Sequence, residues 1–149
     1  MNKLISISIF LITLTVTAVF ANEQKAGNVA VSLTVIIEGF SNDKGNAMIA
    51  LCNTKEGFKN TDKAFNVAAA SIKGGKAEWI FSNIPFGTYA VKVYHDENSN
   101  IKLDTGAFGI PKEKYGFSNN ARSTFGPPKY EEAQFMFNKI NMMITITVK

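Results

Sequence analysis

The stretch that decides the fold is residues 81–128, FSNIPFGTYAVKVYHDENSNIKLDTGAFGIPKEKYGFSNNARSTFGPP. It begins with strand and turn residues, passes through a cluster of acids and amides, and ends in a segment punctuated by Gly and Pro. Within it, residues 85–89 form a corner, because Pro85 ends one strand, Gly87 permits a positive φ, and Tyr89 starts the next strand. We expect the Tyr89 ring to pack inward and its hydroxyl to bond to nearby backbone.

Short segments with apolar residues at every second position surround this corner. Such alternation is typical of half-buried strands. The segments are residues 29–37, 47–53, 65–69, 76–82, 89–95, 133–137 and 140–148. Residues 39–45 have the Gly, Asn and Asp content of a hairpin turn, which makes 47–53 the returning strand. Residues 54–58 are compatible with one helical turn that is capped by Asn53 or Thr54.

The apolar positions of these strands predict which side chains face the core. In the third strand the alternating set is Phe65, Val67 and Ala69. In the fourth it is Ala77, Trp79 and Phe81, and we expect Trp79 and Tyr89 to be core residues.

Seven short strands without a long helical period indicate an all-β fold, a seven-stranded antiparallel Ig-like or transthyretin-like β-sandwich with one long ordered loop. We expect a single domain over residues 29–149. The corner at residues 85–89 resembles that of transthyretin-like and carboxypeptidase-regulatory-like sandwich domains, and this likeness informs fold more than function.

The first residues have the features of a secretory signal peptide. Lys3 supplies a positive charge, residues 4–20 are uncharged and mostly apolar, and Val19-Phe20-Ala21 forms a cleavage site. We expect a signal peptide over residues 1–21, a flexible leader over 22–28, and an exported protein that is periplasmic or secreted. An uncleaved anchor is the alternative, but the apolar run is short for a membrane span. We expect no membrane span after cleavage.

Charge and cysteine content exclude some functions. The full chain has a net charge of +4, and its basic residues are lysines except for Arg122. They are spread along the chain, whereas nucleic-acid surfaces cluster Lys and Arg, so we expect no nucleic-acid partner. The single cysteine, Cys52, allows no internal disulfide, and its apolar surroundings predict a buried side chain. The single histidine, His95, ends an apolar strand face and is interpreted as a packed residue.

An acidic loop, residues 96–104, could bind a cation. Its oxygen-bearing side chains alternate as they do in calcium loops, and Ca²⁺ is the only cofactor that the sequence suggests. The candidate ligands are Asp96, Asn98, Asn100, the Lys102 carbonyl and Asp104. Two departures weaken this hypothesis, since Ile101 stands where such loops have Gly and Ala107 where they have a bidentate Glu. The alternative is an Asx-rich turn whose side chains cap backbone amides.

Residues 97–129 show no clear strand or helix, and loops of that length are uncommon in compact domains. Their aromatic side chains argue against disorder. One interpretation is a lid over one sheet or one end of the sandwich. The other is a ligand surface formed by Phe108, Tyr115, Phe117, Asn119, Asn120 and Arg122.

Three segments carry a family resemblance: HDENSNIKLDT at residues 95–105, GIPKEKYGFSNN at 109–120 and FGPPKYEEAQF at 125–135. Together they are similar to the signature of the bacterial domain of unknown function 2141 family, and the similarity extends over about residues 29–148. The resemblance implies an exported single-domain protein with no assigned activity. The family pattern has Gly where this chain has Ile101 and Lys114.

The sequence therefore predicts an exported, non-enzymatic β-sandwich that binds or scaffolds an unknown ligand of the bacterial envelope. A carbohydrate- or peptide-binding domain that uses the loop aromatics is the alternative. A hydrolase built on a carboxylate pair such as Asp96 and Asp104 is the less favoured one, because the chain has one His, one buried Cys and no Gly-x-Ser-x-Gly motif.

Overall fold

The computed structural model describes residues 31–149. The predicted signal peptide, the predicted leader and the first residues of the predicted domain lie outside this range. The described chain is mostly β-structure in two sheets, as an all-β sandwich requires. The strands are β1 (Ser32–Glu38), β2 (Asn46–Cys52), β3 (Asn66–Ser71), β4 (Lys76–Ser82), β5 (Gly87–Asp96), β6 (Tyr115–Phe117), β7 (Phe135–Phe137) and β8 (Asn141–Thr147).

Helical elements are short. They are α1 (Lys55–Lys59), α2 (Tyr130–Ala133) and three 3-10 turns at Thr61–Lys63, Ala107–Gly109 and Ser118–Asn120. The predicted helical turn after β2 is confirmed as α1, and Thr54 is its N-cap, with the side-chain oxygen accepting from the backbone N–H of Gly57 over 3.0 Å. This bond satisfies one of the free N–H groups of the first turn.

The small sheet has the strand order β4-β1-β8. Strand β1 pairs antiparallel with β4 and parallel with β8. The prediction of a wholly antiparallel sandwich is therefore wrong for this pair. Parallel neighbours need a long connection between them, and here that connection is the whole of the rest of the domain.

The large sheet has the order β3-β2-β5-β6, and β7 pairs with the first residues of β5. Because β1 and β2 lie in different sheets, the predicted hairpin at residues 39–45 is wrong, and the segment instead carries the chain across the sandwich. At its end Gly45 has a φ of +62°, and a Cβ there would lie 1.8 Å from the Asp96 carbonyl oxygen. Glycine is thus required by both conformation and space.

Alternation places the core between the two sheets. Leu33, Val35 and Ile37 of β1 are fully buried, as predicted. They pack with Ile49 and Leu51 of β2, with Tyr89, Val91 and Val93 of β5, and with Phe137 and Ile146. The predicted packing of Tyr89 at the corner is confirmed, because Tyr89 is buried and its hydroxyl donates to the Pro85 carbonyl oxygen over 2.9 Å. Gly87 does not have the positive φ expected there, and the left-handed residue before the corner is Asn83, with a φ of +56°.

Two predicted core assignments are wrong. In β3 the inward side chains are Ala68 and Ala70, whereas Val67 is 57% exposed on the opposite face. Phe65 precedes the strand and is 41% exposed, with its ring edge-on to that of Tyr89. Trp79 of β4 is 37% exposed, although its neighbours on that face, Ala77 and Phe81, are buried. Trp79 contacts Phe81 edge-on at 6.4 Å between ring centroids, so it lies at the rim of the core.

The segment predicted to lack strands contains β6, which pairs with β5 through Lys92–Phe117, Val93–Gly116 and Tyr94–Tyr115. The segment is therefore not only a loop, because β6 extends the large sheet. The described chain has eight strands where seven were expected. No helix within residues 31–149 has the length and apolar character needed to cross a membrane.

A second apolar cluster lies on the outer face of the large sheet, where α1 and α2 cover one end of it. Phe58 of α1 and Tyr130 of α2 contact each other and are joined there by Ala50, Cys52, Ala90, Phe117 and Ala133. The helices are too short to cover the whole face, and the uncovered part forms a cleft.

Candidate functional site

A cleft of about 850 Å³ occupies the uncovered part of the large sheet's outer face. Its floor is made by the outward side chains of β2, β3, β5 and β6. One wall is the segment from the 3-10 turn to the start of β3, which contributes Thr61, Asp62 and Phe65. The other wall is the acidic loop, through Ile101, Lys102 and Leu103.

The floor consists of two rows of side chains that run across the strands. The strand register places Met48, Tyr94 and Tyr115 in one row, next to Ala69. The second row contains Val67, Ala50, Lys92 and Phe117. Cross-strand neighbours on one face lie about 5 Å apart, so each row is a continuous surface. The floor is therefore apolar and aromatic, with one cation in it.

That cation is the Lys92 ammonium, whose Nζ donates to the Phe58 carbonyl oxygen over 2.8 Å and lies 6.0 Å from the centre of the Phe58 ring. Burial lowers the pKa of Lys92, because desolvation disfavours its charged form. The neighbouring Cys52 thiol is fully buried, as predicted, and burial raises its pKa to about 11. The thiol is protonated at neutral pH and is not a nucleophile there.

His95 is buried in the core, as its position on the Tyr89 face of β5 predicted. Its Nε2 lies 2.8 Å from the Lys44 carbonyl oxygen, and its ring meets Phe40 edge-on at 5.1 Å. With one nitrogen bonded to backbone and the ring enclosed, His95 serves packing between the sheets.

The acidic loop brings its predicted side chains together as a hydrogen-bonded turn. The buried Asp96 carboxylate accepts from the backbone N–H of Asn100 at 3.0 Å and of Ile101 at 2.9 Å. The side-chain amides of Asn98 and Asn100 donate to the two oxygens of Asp104. Glu113 closes the loop by accepting from the backbone N–H of Glu97 and of Asp104. These bonds are those of a capped turn, and calcium binding by the loop stays a prediction.

The orientations of the two amides follow from these bonds. The Oδ1 of Asn98 accepts from the backbone N–H of Asn100, and the Oδ1 of Asn100 accepts from that of Lys102. Their Nδ2 groups therefore face Asp104, and a cation at this point would need both amides to turn. Among residues 31–149 no three His, Cys, Asp or Glu side chains are placed to hold a metal ion.

Ile101 is strained, with a φ of +62°. Left-handed backbone is a genuine outlier for a β-branched residue and is ordinary for glycine. The Gly that calcium loops and the family pattern have at this position would adopt this backbone conformation without strain. The Ile101 side chain is 71% exposed and forms part of the cleft wall.

The predicted ligand surface is divided among different roles. Phe108 is fully exposed, and its ring pairs with no other aromatic ring in the described part of the chain. Tyr115 and Phe117 lie on β6 at the cleft, although Phe117 is 7% exposed and belongs mainly to the second apolar cluster. Phe108 is thus not joined with them on one surface.

The three polar residues of that predicted surface hold the segment after β6 in place. Asn119 donates to the Gln134 carbonyl oxygen at 2.8 Å, and Asn120 accepts from the Thr147 backbone N–H at 2.8 Å. Arg122 donates to the Thr147 carbonyl oxygen at 3.0 Å. Their hydrogen-bonding groups are used within the protein, tying this segment to β8 and to the end of α2.

Sequence reasoning missed the residues of the cleft floor in β2, β3 and β5. The available signal was that these strands carry apolar residues on both faces, such as Met48 beside Ile49 and Tyr94 beside Val93. A strand that is apolar on both faces is covered on both sides or borders a binding surface.

A comparison with protein families finds a match over most of the chain. The model of the family described as "Uncharacterized protein conserved in bacteria (DUF2141)" matches residues 35–145. No curated protein and no solved structure matches the chain. The matched range extends from β1 into β8 and includes every strand that forms the cleft. The chain therefore belongs to the DUF2141 family of bacterial proteins.

Proposed function

We propose that this protein is an exported, non-enzymatic binding module of the bacterial envelope and that its ligand site is the cleft on the large sheet. One observation carries the proposal: a cleft of about 850 Å³ has an apolar and aromatic floor with few polar groups. Sites for small ligands have this size and this composition. The sandwich itself we propose to be Ig-like or transthyretin-like, which the Tyr89–Pro85 corner supports.

Export is supported by the sequence, through Lys3, the apolar run and Val19-Phe20-Ala21. N-terminal sequencing of the protein recovered from the envelope fraction should begin at or near Asn22. A chain that keeps Met1 and is found with the cytoplasmic proteins would contradict the proposal.

The surroundings of the potential catalytic groups favour binding over catalysis. His95 is enclosed by the core, the Cys52 thiol is protonated at neutral pH, and both oxygens of Asp96 accept from backbone. A carboxylate-based hydrolase needs a carboxyl group that is free to accept or give a proton at a substrate.

An extended peptide is a second candidate ligand. Strand β3 is the edge of the large sheet, and its sequence NVAAAS has neither charge nor proline. Natural edge strands are commonly protected by such residues, and unprotected edges accept an added strand. A carbohydrate is less well supported, because the Tyr115 and Phe117 rings are inclined by 74° and do not form a flat platform.

Calcium binding by the acidic loop is the alternative to a turn held by its own hydrogen bonds, and thermal melting separates the two. The carboxylate and amide groups of the loop already bond to each other and to backbone N–H groups, so we expect millimolar calcium and chelator to give the same melting temperature. A rise with calcium that Asp104→Ala abolishes would show instead that the amides turn to expose a cation site.

The cleft itself is tested by a thermal-shift screen of envelope compounds on wild-type protein and on two matched variants. Val67→Glu places a charge on the cleft floor, whereas Ile80→Glu places one on the outer face of the other edge strand, β4. Both side chains are more than half exposed, at 57% and 51%. A ligand should stabilise wild type and Ile80→Glu but not Val67→Glu. Stabilisation that survives Val67→Glu would exclude the cleft.

A further inference from the structure

Lys92 occupies an unusual position for a lysine, since it is half-buried near the middle of an apolar sheet face. Its neighbours in the row are Ala50 on β2 and Phe117 on β6. Lysines are mostly found with the ammonium in water, and placing one on an apolar floor costs free energy unless the charge is matched.

The charge of Lys92 has no acidic partner in residues 31–149. The ion pairs there join Lys55 with Glu131, Lys63 with Glu56, and Lys76 with Glu38. An ammonium group has three donors, and Lys92 uses one of them, on the Phe58 carbonyl oxygen. The remaining donors and the uncompensated charge fit one anionic group at the cleft floor.

The other side chains of the cleft determine the rest of the ligand. Met48, Val67, Tyr94 and Tyr115 provide an apolar surface around Lys92. Of the charged residues that line the cleft, Lys102 adds a second cation on the acidic-loop wall and Asp62 an anion on the other wall. A complementary ligand is thus an amphiphile with a single negative group and an apolar body.

We propose that the cleft binds an acyl chain with one carboxylate, which pairs with Lys92 while the chain lies on Met48, Val67, Tyr94 and Tyr115. This inference rests on the proposed function, because it takes the cleft to be the ligand site. Desolvation disfavours the charged form of Lys92. A carboxylate beside the ammonium group would stabilise that form again, which supports the proposal.

Titration with dodecanoate and with dodecanol tests the proposal, because the two differ only in the head group. Binding is followed by calorimetry and by the ¹³C-methyl signal of Met48, which reports from the cleft floor and is assigned with Met48→Leu. Wild type should bind dodecanoate at least tenfold more tightly than dodecanol. Lys92→Met should remove that preference and Lys92→Arg should keep it. Lys139→Met, at an exposed position outside the cleft, should behave as wild type.

Equal binding of dodecanoate and dodecanol in wild type would overturn the role of Lys92 and would leave the cleft as the ligand site. Failure of both to shift the Met48 signal would overturn the proposed ligand class. In that case the proposed function is judged by the Val67→Glu screen, whose result does not depend on acyl chains. A carboxylate preference that persists in Lys92→Met would place the anion elsewhere and would also contradict the proposal.

Discussion

The hydroxyl of Tyr89 donates a hydrogen bond to the carbonyl oxygen of Pro85 over 2.9 Å. The Tyr89 ring packs edge-on with the rings of Phe65, at 5.5 Å, and Phe137, at 6.2 Å. One side chain therefore fixes the entrance to β5, the strand to which β2, β6 and β7 are all bonded.

Tyr89→Phe should lower the free energy of unfolding by about 1 kcal/mol, because it removes this hydrogen bond and keeps the ring. Denaturant unfolding measures the loss. Tyr94→Phe is the matched control, since the Tyr94 hydroxyl makes no hydrogen bond within residues 31–149. Equal effects of the two substitutions would contradict a structural role for the corner.

Truncation of Trp79 should cost less than truncation of Phe81, although both side chains lie on the same face of β4. Phe81 is 2% exposed and Trp79 is 37% exposed. We expect about 3–5 kcal/mol for Phe81→Ala and about 1–2 kcal/mol for Trp79→Ala, whose cavity opens to solvent. Chemical denaturation of both variants gives the comparison, and a larger loss for Trp79→Ala would show that the rim is in fact core.

Ile101→Gly should stabilise the protein. Left-handed backbone costs a non-glycine residue about 1–2 kcal/mol, and Ile101→Gly removes this cost. Glycine also makes the unfolded chain more flexible, which lowers stability by about 0.5–1 kcal/mol. The expected gain is about 0.5–1 kcal/mol. The control is Ile101→Val, which keeps the β-branch and should leave stability unchanged. A destabilised Ile101→Gly would mean that the side chain packs in the loop.

Stability should fall at alkaline pH because of Cys52. Burial raises the pKa of the Cys52 thiol from 9.0 to about 11. The protonated thiol therefore contributes fully to the free energy of unfolding below pH 9, and this contribution is lost as pH rises toward 11. The expected loss is on the order of 2 kcal/mol. Unfolding curves at pH 8, 9, 10 and 11 should show a weaker pH dependence for Cys52→Ala than for wild type, since lysines and tyrosines titrate in both. Identical slopes would show that the folded thiol ionises freely.

Local pattern predicted much of the fold. The period-two run at Leu33, Val35 and Ile37 has polar or half-buried neighbours, so its inward face could be read directly. In β3 the pattern misled, because the larger residue Val67 faces the cleft while small alanines face the core. Size could not decide the face, since apolar side chains on both sides of a strand remove the alternation.

The features that sequence could not provide depend on distant partners. Strand β6 has three residues and exists because β5 offers it a partner. The cleft depends on where α1 and the acidic loop end relative to the sheet. The hydrogen-bonded roles of Asn119, Asn120 and Arg122 require β8 and the end of α2 beside them, and no local spacing encodes that neighbourhood.

The parallel pairing of β1 with β8 also sets the order of events during synthesis. Ser32 and Asn141 are bonded across 109 residues, so β1 gains its second neighbour only when the last strand has left the ribosome. Closing so long a loop is slow, and topologies dominated by such contacts fold over milliseconds to seconds. The nascent chain therefore cannot complete its small sheet until β8 has been synthesised.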